Sequence, residues 1–458
     1  MRKILWLLCC CWHVVLATET TIQFSSDVPL LSQEQMTPRF WQTKLAAPQQ
    51  LLLTPAQIAQ RNSETFDLQS EMQPLQSLPA HYSKAELGAM IQSVSKVPTT
   101  ARFYTDGTAL STQHWQHYLS LLALDQVQAV NPLRFGLVVK RSALRAFPTR
   151  DRIVNDQGNP DLDRFAETAL FPADAVAVLH SSRDNQWLLV RSFNYTGWLQ
   201  AADVAIGSKQ QVLAYTQQQP FIVITGAKVH TAFNPQLAAV SELQLDMGVR
   251  LPLLSAAEAG FNVHGQNPVA SHIVQLPLRL ADGSLSFTPA LLPLSADVQQ
   301  GYLPFTPYNI LAQAFKFLGE RYGWGHDYNG RDCTGFISEI FRSFGLLMPR
   351  NSGQQGNGGY GRNIRFSADS SVADKQAALA QLQVGDLLYF PGHVALYLGT
   401  VNGQPFMIHD VNTLLYPRSN GSIYRGTLNG VAVTPLLPLY ATEQQSYFDA
   451  MYAIKSLR

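Results

Sequence analysis

The chain has 458 residues, of which 46% are hydrophobic and 14% are charged. This composition excludes a disordered chain, and at roughly 150 residues per domain the length predicts about three folded domains. The 33 basic and 32 acidic residues leave a net charge of +1. We therefore expect no nucleic-acid partner, since binding to phosphates requires a basic surface.

Residues 1–17 have the pattern of an export signal. Arg2 and Lys3 precede an almost entirely apolar run from Ile4 to Leu16, and Val15-Leu16-Ala17 forms a small-residue cleavage site. The run of about 13 residues is too short to span a bilayer, which takes about 20, and no other segment is long enough. We therefore expect no membrane span and a periplasmic or extracellular location.

The positions of the cysteines single out one candidate reactive residue. Three of the four cysteines, Cys9, Cys10 and Cys11, lie in the signal, so its removal leaves only Cys333. Lipid attachment at one of the three is an alternative, but Leu or Cys precedes each of them where Gly, Ala or Ser is expected. Exported proteins usually pair their cysteines in disulfides. An unpaired Cys333 is therefore either a reactive thiol or a buried, inert one.

The segment from residue 18 to about 133 predicts helices and no chemistry. Ser83 to Glu86 forms a capping box ahead of apolar residues at helical spacing, and a second helix is predicted from about Thr112 to Val127. We interpret this segment as a scaffolding or clamping domain. Residues 134–206 and 207–300 then show short apolar runs separated by turn residues, which predicts two small β-barrels.

The chemistry is concentrated in residues 301–458. Apolar residues recur at helical spacing after Cys333, so this cysteine is predicted at the start of a helix. Backbone N–H groups and the helix dipole at that position favour a thiolate and could also hold an oxyanion.

Two histidines can complete a catalytic group with Cys333. His393 begins a predicted strand, and His409 lies in the strand that returns after Asn402-Gly403. A thiol nucleophile needs a base, here His393, and the base needs an orienting group, here His409. One cysteine and two distant histidines lack the local spacing of a zinc site, so we expect no metal.

The loop between the two histidine strands decides whether their rings can meet. With a two-residue Asn402-Gly403 turn and regular strands, the rings would point to opposite faces of the sheet. A three-residue loop, Val401 to Gly403, would pair Ala395 with His409 and put both rings on one face. We therefore predict the three-residue loop, with Gly403 at positive φ.

These residues resemble the NlpC family of papain-like cell-wall peptidases. The resemblance covers residues 304–455 and rests on Tyr322-Gly323-Trp324-Gly325, Asp332-Cys333-Thr334-Gly335-Phe336, Gly392-His393-Val394 and His409. Leu144 to Thr149 and Tyr195 to Trp198 resemble bacterial SH3-type domains. The implied fold is α+β: a helical N-terminal clamp domain (18–133), two SH3-like barrels (134–206 and 207–300) and a papain-like domain (301–458).

The resemblance implies hydrolysis of the bond between D-γ-glutamate and a diamino acid in peptidoglycan stem peptides, with no cofactor, by a protein that we expect to be monomeric. The implied catalytic residues are Cys333, His393, His409 and, near the oxyanion, Tyr322. The implied substrate-binding residues are Asp332, Thr334, Asn351, Ser352 and Tyr195. Of these, Tyr195 could equally be a barrel core residue.

Three positions depart from the family pattern. Thr334 replaces Ser but keeps a hydroxyl and a helix-capping role, and His326 replaces a Gly and could reshape the rim of the site. Asn351 replaces an Asp that pairs with the substrate amine, so we expect weaker amine recognition.

Several alternatives stay open. The enzyme could act on intact cross-linked wall instead of short peptides with a free L-alanine amine, or be an acyl-transferring relative of the same fold. A catalytically inactive wall-binding protein that uses its SH3-like domains is the non-enzymatic alternative.

Overall fold

A computed structural model describes residues 24–155 and 160–458. The predicted export signal lies outside the described residues. The helical N-terminal part contains α1 (Pro38–Gln42), α2 (Pro55–Leu68), β1 (His81–Ser83), α3 (Lys84–Val94), β2 (Phe103–Tyr104), α4 (Thr112–Leu121) and β3 (Val130–Pro132). The first strand-rich part contains β4 (Arg134–Val138), β5 (Ser142–Arg145), β6 (Ile153–Val154), β7 (Ala166–Leu170), β8 (Ala175–Ser181), β9 (Trp187–Arg191), β10 (Thr196–Gln200) and β11 (Val204–Gly207).

The second strand-rich part contains α5 (Lys209–Gln217), β12 (Phe221–Ile224), β13 (Lys228–His230), β14 (Gln244–Asp246), β15 (Arg250–Pro252), α6 (Ala256–Ala259), β16 (Ser271–Arg279), β17 (Leu285–Pro293) and β18 (Val298–Gln300). The C-terminal part contains α7 (Pro307–Phe315), α8 (Cys333–Arg342), α9 (Ser352–Asn357), β19 (Arg362–Arg365), α10 (Val372–Leu379), β20 (Leu387–Phe390), β21 (His393–Val401), β22 (Gln404–Pro417), β23 (Ile423–Pro435), β24 (Tyr440–Thr442), β25 (Gln445–Ser446), α11 (Tyr447–Ala450) and β26 (Ala453–Ser456).

The N-terminal helices begin where the sequence predicts. Ser83 caps α3, and its side chain and that of Glu86 bond each other's backbone N–H in the expected capping box. The predicted second helix is too long, since α4 ends at Leu121. Ala123 then adopts a left-handed conformation with φ of 51°, and only a short 3₁₀ turn follows. A non-glycine residue in that conformation ends a right-handed helix.

The first strand-rich part forms one seven-stranded antiparallel sheet in the order β11-β4-β8-β9-β10-β5-β7. Trp198 is fully buried in its core, and its Nε1 donates to Ser95 Oγ at 2.9 Å, which ties the barrel to the end of α3. The second part divides its strands among three smaller sheets, β15-β12-β18, β13-β14 and β16-β17.

The C-terminal part is built on a six-stranded antiparallel sheet in the order β19-β26-β20-β21-β22-β23. One face packs against α7 and α8 through buried residues that include Phe336, Ile340 and Val394. The other face packs against the C-terminal segment through Ala395, Met407 and Tyr447. The predicted mixed α and β architecture is confirmed.

Candidate active site

Cys333 is the first residue of α8, as its sequence pattern predicts. Asp332 is the N-cap, with extended backbone angles, and its Oδ1 accepts from the N–H of Gly335 at 2.9 Å. The capping role expected of Thr334 was therefore wrong. Thr334 lies inside the first turn, where its hydroxyl donates to Asp332 Oδ1 at 3.0 Å and accepts from Arg350.

The thiol is buried and lies beside the backbone N–H of Val394, at the start of β21. Burial, with the nearby charges of Asp332 and Asp410, raises the pKa of the Cys333 thiol to about 12, although the Val394 N–H opposes this. The stabilisation of a thiolate that the helix start predicts is thus outweighed by the removal of water from around the sulfur.

The two histidines are in direct contact. His393 Nε2 lies 2.8 Å from His409 Nδ1, and His409 Nε2 lies 3.0 Å from the hydroxyl of Thr434. The His393 ring stacks on Phe390, and Tyr447 contacts both imidazoles. Burial lowers the pKa of His393 to about 4 and holds that of His409 well below its usual range. Both rings are therefore neutral near pH 7.

The hairpin that brings the rings together differs from the predicted one. Val401 pairs with Gln404 across a two-residue Asn402-Gly403 turn, so the three-residue loop was wrong. The extra residue lies instead in a β-bulge within β21. Tyr397 pairs with Met407 and Gly399 pairs with Phe406, so two steps along β21 correspond to one step along β22.

The bulge restores the side-chain alternation that the triad needs. Beyond it Leu396 pairs with Ile408, so Ala395 stands opposite His409 and the two imidazoles share a face. Gly403 has φ of +77°, and its predicted positive φ is confirmed.

Tyr322 lies beside the thiol on a segment that runs along β23. Its backbone N–H donates to the carbonyl of Asn429 at 2.9 Å. Burial, followed by the charges of Cys333 and Asp332, raises the pKa of the Tyr322 hydroxyl. A hydroxyl that keeps its proton can donate a hydrogen bond into the site.

Asp332 and Tyr195, two of the residues expected to bind substrate, lie where the first barrel touches the C-terminal part. Arg350 pairs with Asp332 at 2.6 Å, and its Nε donates to Thr168 of the barrel. The hydroxyl of Tyr195 donates to the carboxylate of Glu167, and both side chains feel the charge of Arg350. Tyr195 also packs against the barrel core, as the alternative interpretation of this residue expects, and its role in substrate binding stays a prediction.

Glu167 is a site candidate that sequence reasoning missed. It is a single acidic residue within β7, and nothing in its local pattern distinguishes it from a surface glutamate. Burial raises the pKa of its carboxyl, while the bond from Tyr195 and the charge of Arg350 lower it. Asn351 is exposed at the N-terminus of α9, and its neighbour Ser352 is half-buried.

His326 is not at the rim of the site, where the sequence placed it. It is 6% exposed, and its Nε2 lies 3.1 Å from Glu339 on the buried side of α8. Its backbone is in the left-handed region, with φ of 67°. Burial and the charge of Arg350 hold the pKa of His326 well below its usual range, so it is a neutral packing residue.

A second missed feature is a charge network below Cys333. The guanidinium of Arg331 is fully buried and bonds Glu320 and Glu339 at 2.6 Å and Asp246 at 3.0 Å. Asp246 belongs to the second strand-rich part and also lies 3.4 Å from Arg141 of the first barrel. The start of α8 is therefore held by both strand-rich parts.

Within residues 24–155 and 160–458, no cluster of three His, Cys, Asp or Glu side chains is arranged to hold a metal ion. Among the helices of the same residues, none is both long and apolar enough to cross a bilayer.

Two family models match the chain. Residues 319–431 match the NlpC/P60 family, and residues 155–200 match an SH3 domain of the SH3b1 type. The first match covers the segment that holds Tyr322, Cys333, His393 and His409.

Curated relatives match parts of the chain. It is 28% identical over 238 residues to the gamma-D-glutamyl-L-lysine dipeptidyl-peptidase of Bacillus cereus (strain ATCC 10987 / NRS 248), a match that covers 50% of this chain and 58% of that protein. It is 35% identical over 121 residues to the probable endopeptidase p60 of Listeria seeligeri, covering 25% of this chain and 19% of that protein. Each of these two matches spans less than two thirds of the relative.

The whole architecture matches a solved NlpC/P60 endopeptidase from Photobacterium damselae subsp. piscicida. The two structures align with a TM-score of 0.71 over 89% of this chain and 94% of the other. At 17% sequence identity this likeness concerns the fold alone.

Proposed function

Because this chain combines an NlpC/P60 domain with SH3-like domains, we propose that it is an exported cysteine peptidase of peptidoglycan. The bond that it cleaves is the one between D-γ-glutamate and the diamino acid of a stem peptide. The observation that carries the proposal is the hydrogen-bonded row His393, His409 and Thr434 at the strand start that touches the Cys333 thiol.

The neutral imidazoles support a general-base role for His393. If its Nε2 donates to His409 Nδ1, then His409 Nε2 donates to Thr434, and His393 Nδ1 is left as the acceptor. The thiol proton passes to that Nδ1 as sulfur attacks the γ-amide carbonyl. The protonated ring then returns the proton to the departing amine of the diamino acid.

In the resting enzyme the thiol and the imidazole are both neutral. Proton transfer between them creates a negative and a positive charge, and burial disfavours both. His409 offsets this by accepting from the imidazolium of His393, in the manner of an orienting third residue. The oxyanion gains a hydrogen bond from the Tyr322 hydroxyl, and the N–H groups at the start of α8 lie at the positive end of the helix dipole.

Recognition of a free N-terminal amine is supported by the barrel side of the site. Asp332, which the family resemblance implies as a substrate-binding acid, is already paired with Arg350 at 2.6 Å. Among residues 24–155 and 160–458, no arginine bonds Glu167 in this way. Its carboxyl lies beside Tyr195 and near Arg350, and can pair with an ammonium group. We therefore propose Glu167 and Tyr195 as the amine-binding pair, with Asn351 and Ser352 as neighbouring polar contacts.

Two relatives are named as dipeptidyl-peptidases: the gamma-D-glutamyl-L-lysine dipeptidyl-peptidase of Bacillus cereus and the dipeptidyl-peptidase 6 of Lysinibacillus sphaericus, which is 25% identical over 221 residues. The p60 relatives are named as endopeptidases, so the free-amine requirement has to be measured.

The experiment is incubation of the mature protein with synthetic stem peptides, read by mass spectrometry. One substrate has a free L-alanine amine, a second is N-acetylated, and a third is an intact glycan-linked peptide. We expect cleavage after D-γ-glutamate of the first alone, and none by Cys333→Ala. No cleavage of any substrate by wild-type protein that still binds cell walls would favour the inactive wall-binding alternative.

A further inference from the structure

Asp410 is a buried acid that the mechanism above does not use. Its side chain has no exposed surface, and no group of the described residues bonds either carboxyl oxygen. Buried polar groups almost always find a partner, and an unpaired buried carboxylate is costly. The position of Asp410 therefore requires an explanation.

The strand register brings Asp410 to the thiol. Carried two residues beyond the pair Leu396 and Ile408, the register of β21 and β22 puts Asp410 opposite Val394, whose N–H touches the Cys333 sulfur. Side chains alternate along β22, so Asp410 points away from the His409 face and toward α8.

The other side of Asp410 is formed by the segment that carries Tyr322. Asp410 pairs with Val431 on β23, and Val431 in turn exchanges backbone hydrogen bonds of 2.9 Å with Gly319 and Glu320. Asp410, Val431 and Glu320 thus form one row across the sheet. Two residues beyond Glu320 comes Tyr322.

The charged and titratable groups around Asp410 favour its protonated form. Burial, then Asp332 at the start of α8, then Glu320 raise its pKa well above the usual range for an aspartate. Arg331 opposes this, but its guanidinium already bonds Glu320, Glu339 and Asp246. In the other direction, a charge on Asp410 raises the pKa of both Cys333 and Tyr322.

We propose that Asp410 is a positioning residue that carries a proton in the active enzyme, and that loss of this proton at alkaline pH opposes ionisation of the Cys333 thiol. As a neutral acid it completes the floor of the site between the thiol and Tyr322. Once ionised, it adds a carboxylate charge beside a sulfur that must itself become negative. The consequence for peptide hydrolysis rests on the proposed function, whereas the consequence for the thiol does not.

The test measures the rate of Cys333 alkylation by iodoacetamide in the full-length protein, from about pH 6 to about pH 10, a range that spans ordinary His, Cys and Tyr ionisation. For one isolated thiol, the logarithm of the rate rises with unit slope until the thiol is ionised. We expect a lower slope in wild type at alkaline pH, because ionisation of Asp410 opposes that of the thiol.

Asp410→Asn and Asp410→Val remove the ionisable group while keeping the size of the side chain. We expect unit slope in both and alkylation about tenfold faster than wild type at the alkaline end, which corresponds to a change of about one pKa unit in the thiol. Val is included because an apolar isostere avoids a new unpaired polar group. Asp386→Asn is the control, since Asp386 is also buried but is bonded to Arg458 at 2.9 Å, and its profile should match wild type.

Unit slope throughout in wild type, or a folded Asp410 variant with the wild-type profile, would overturn the proposal. The slope measured for the wild-type protein tests the proposal even if neither variant folds. Peptide hydrolysis is measured separately: an altered alkylation profile without any hydrolysis would refute the proposed function and leave the role of Asp410 at the thiol intact.

Discussion

Glu167→Gln gives the sharpest test of how the substrate amine is recognised. The substitution keeps the size and hydrogen-bonding reach of the side chain and removes only its charge. Tyr195 can still donate to the remaining amide oxygen, as it donates to the carboxylate. A change in activity would therefore report the charge and not the loss of packing.

The expected magnitude follows from the kind of hydrogen bond that is lost. A charge-assisted bond is worth about 1.5–3 kcal/mol, and a neutral one about 0.5–1.5 kcal/mol. The difference of about 1–1.5 kcal/mol corresponds to about a tenfold rise in KM. This magnitude applies to an ionised carboxylate: burial, the largest influence, raises the pKa of the Glu167 carboxyl, while the bond from Tyr195 and the charge of Arg350 lower it.

The assay compares KM for one stem peptide with a free L-alanine amine and for its N-acetylated form. We expect about a tenfold effect on the free amine and little on the acetylated peptide. Glu242→Gln, at an exposed position of the second strand-rich part, serves as the matched control and should change neither. An equal loss on both peptides, or no loss on the free amine, would refute the proposed amine site.

Four further outcomes are expected. Cys333→Ala should lower hydrolysis on the order of a thousandfold or more with an unchanged melting temperature, and activity within about tenfold of wild type would contradict the thiol mechanism. His409→Ala should reduce kcat more than it changes KM, because it removes the partner 2.8 Å from His393, and an unchanged kcat would exclude that role. Asn351→Asp should lower KM for free-amine peptides by about tenfold or less, as one neutral contact becomes charged, and equal KM values would remove Asn351 from the pocket. In wild type, kcat/KM should fall as the pH falls through about 4, since a protonated His393 cannot accept the thiol proton; acid loss centred near neutrality would contradict the buried, neutral imidazole.

The parts of the site that the sequence predicts are those encoded locally. The N-terminus of α8 follows from the helical spacing of apolar residues after Cys333, although its cap is Asp332 and not Thr334, the residue expected to have that role. His393 is predicted at the start of its strand because the turn residue Gly392 precedes it and a run of strand-forming residues follows it. Each signal lies within a few residues of the feature that it predicts.

The missed parts depend on residues that are far apart in sequence. Asp246 bonds Arg331 from 85 residues away, and Thr168 bonds Arg350 from 182 residues away. Glu167 lies beside Tyr195 only because the first barrel docks against α8. Tyr195 itself was expected there through the family resemblance alone. A single sequence contains no periodicity that marks such contacts, so Asp246, Thr168 and Glu167 were not predicted.

The hairpin between the two histidines illustrates a subtler limit. The two rings can share a face only if β21 or the loop contains one extra residue. The alternation of side chains along the strands does not say which of the two contains it. The local turn chemistry does: Asn402 and Gly403 both have positive φ, at 50° and 77°, as a two-residue hairpin turn of the primed type requires. The extra residue must then be in the strand, where Leu398 lies between the pairs formed by Tyr397 and Gly399. Gly399 has φ of +141°, a value that a residue with a β-carbon rarely adopts, so the glycine that permits the bulge is itself visible in the sequence. The constraint from the chemistry and the preference of the turn are compatible once the insertion is assigned to the strand.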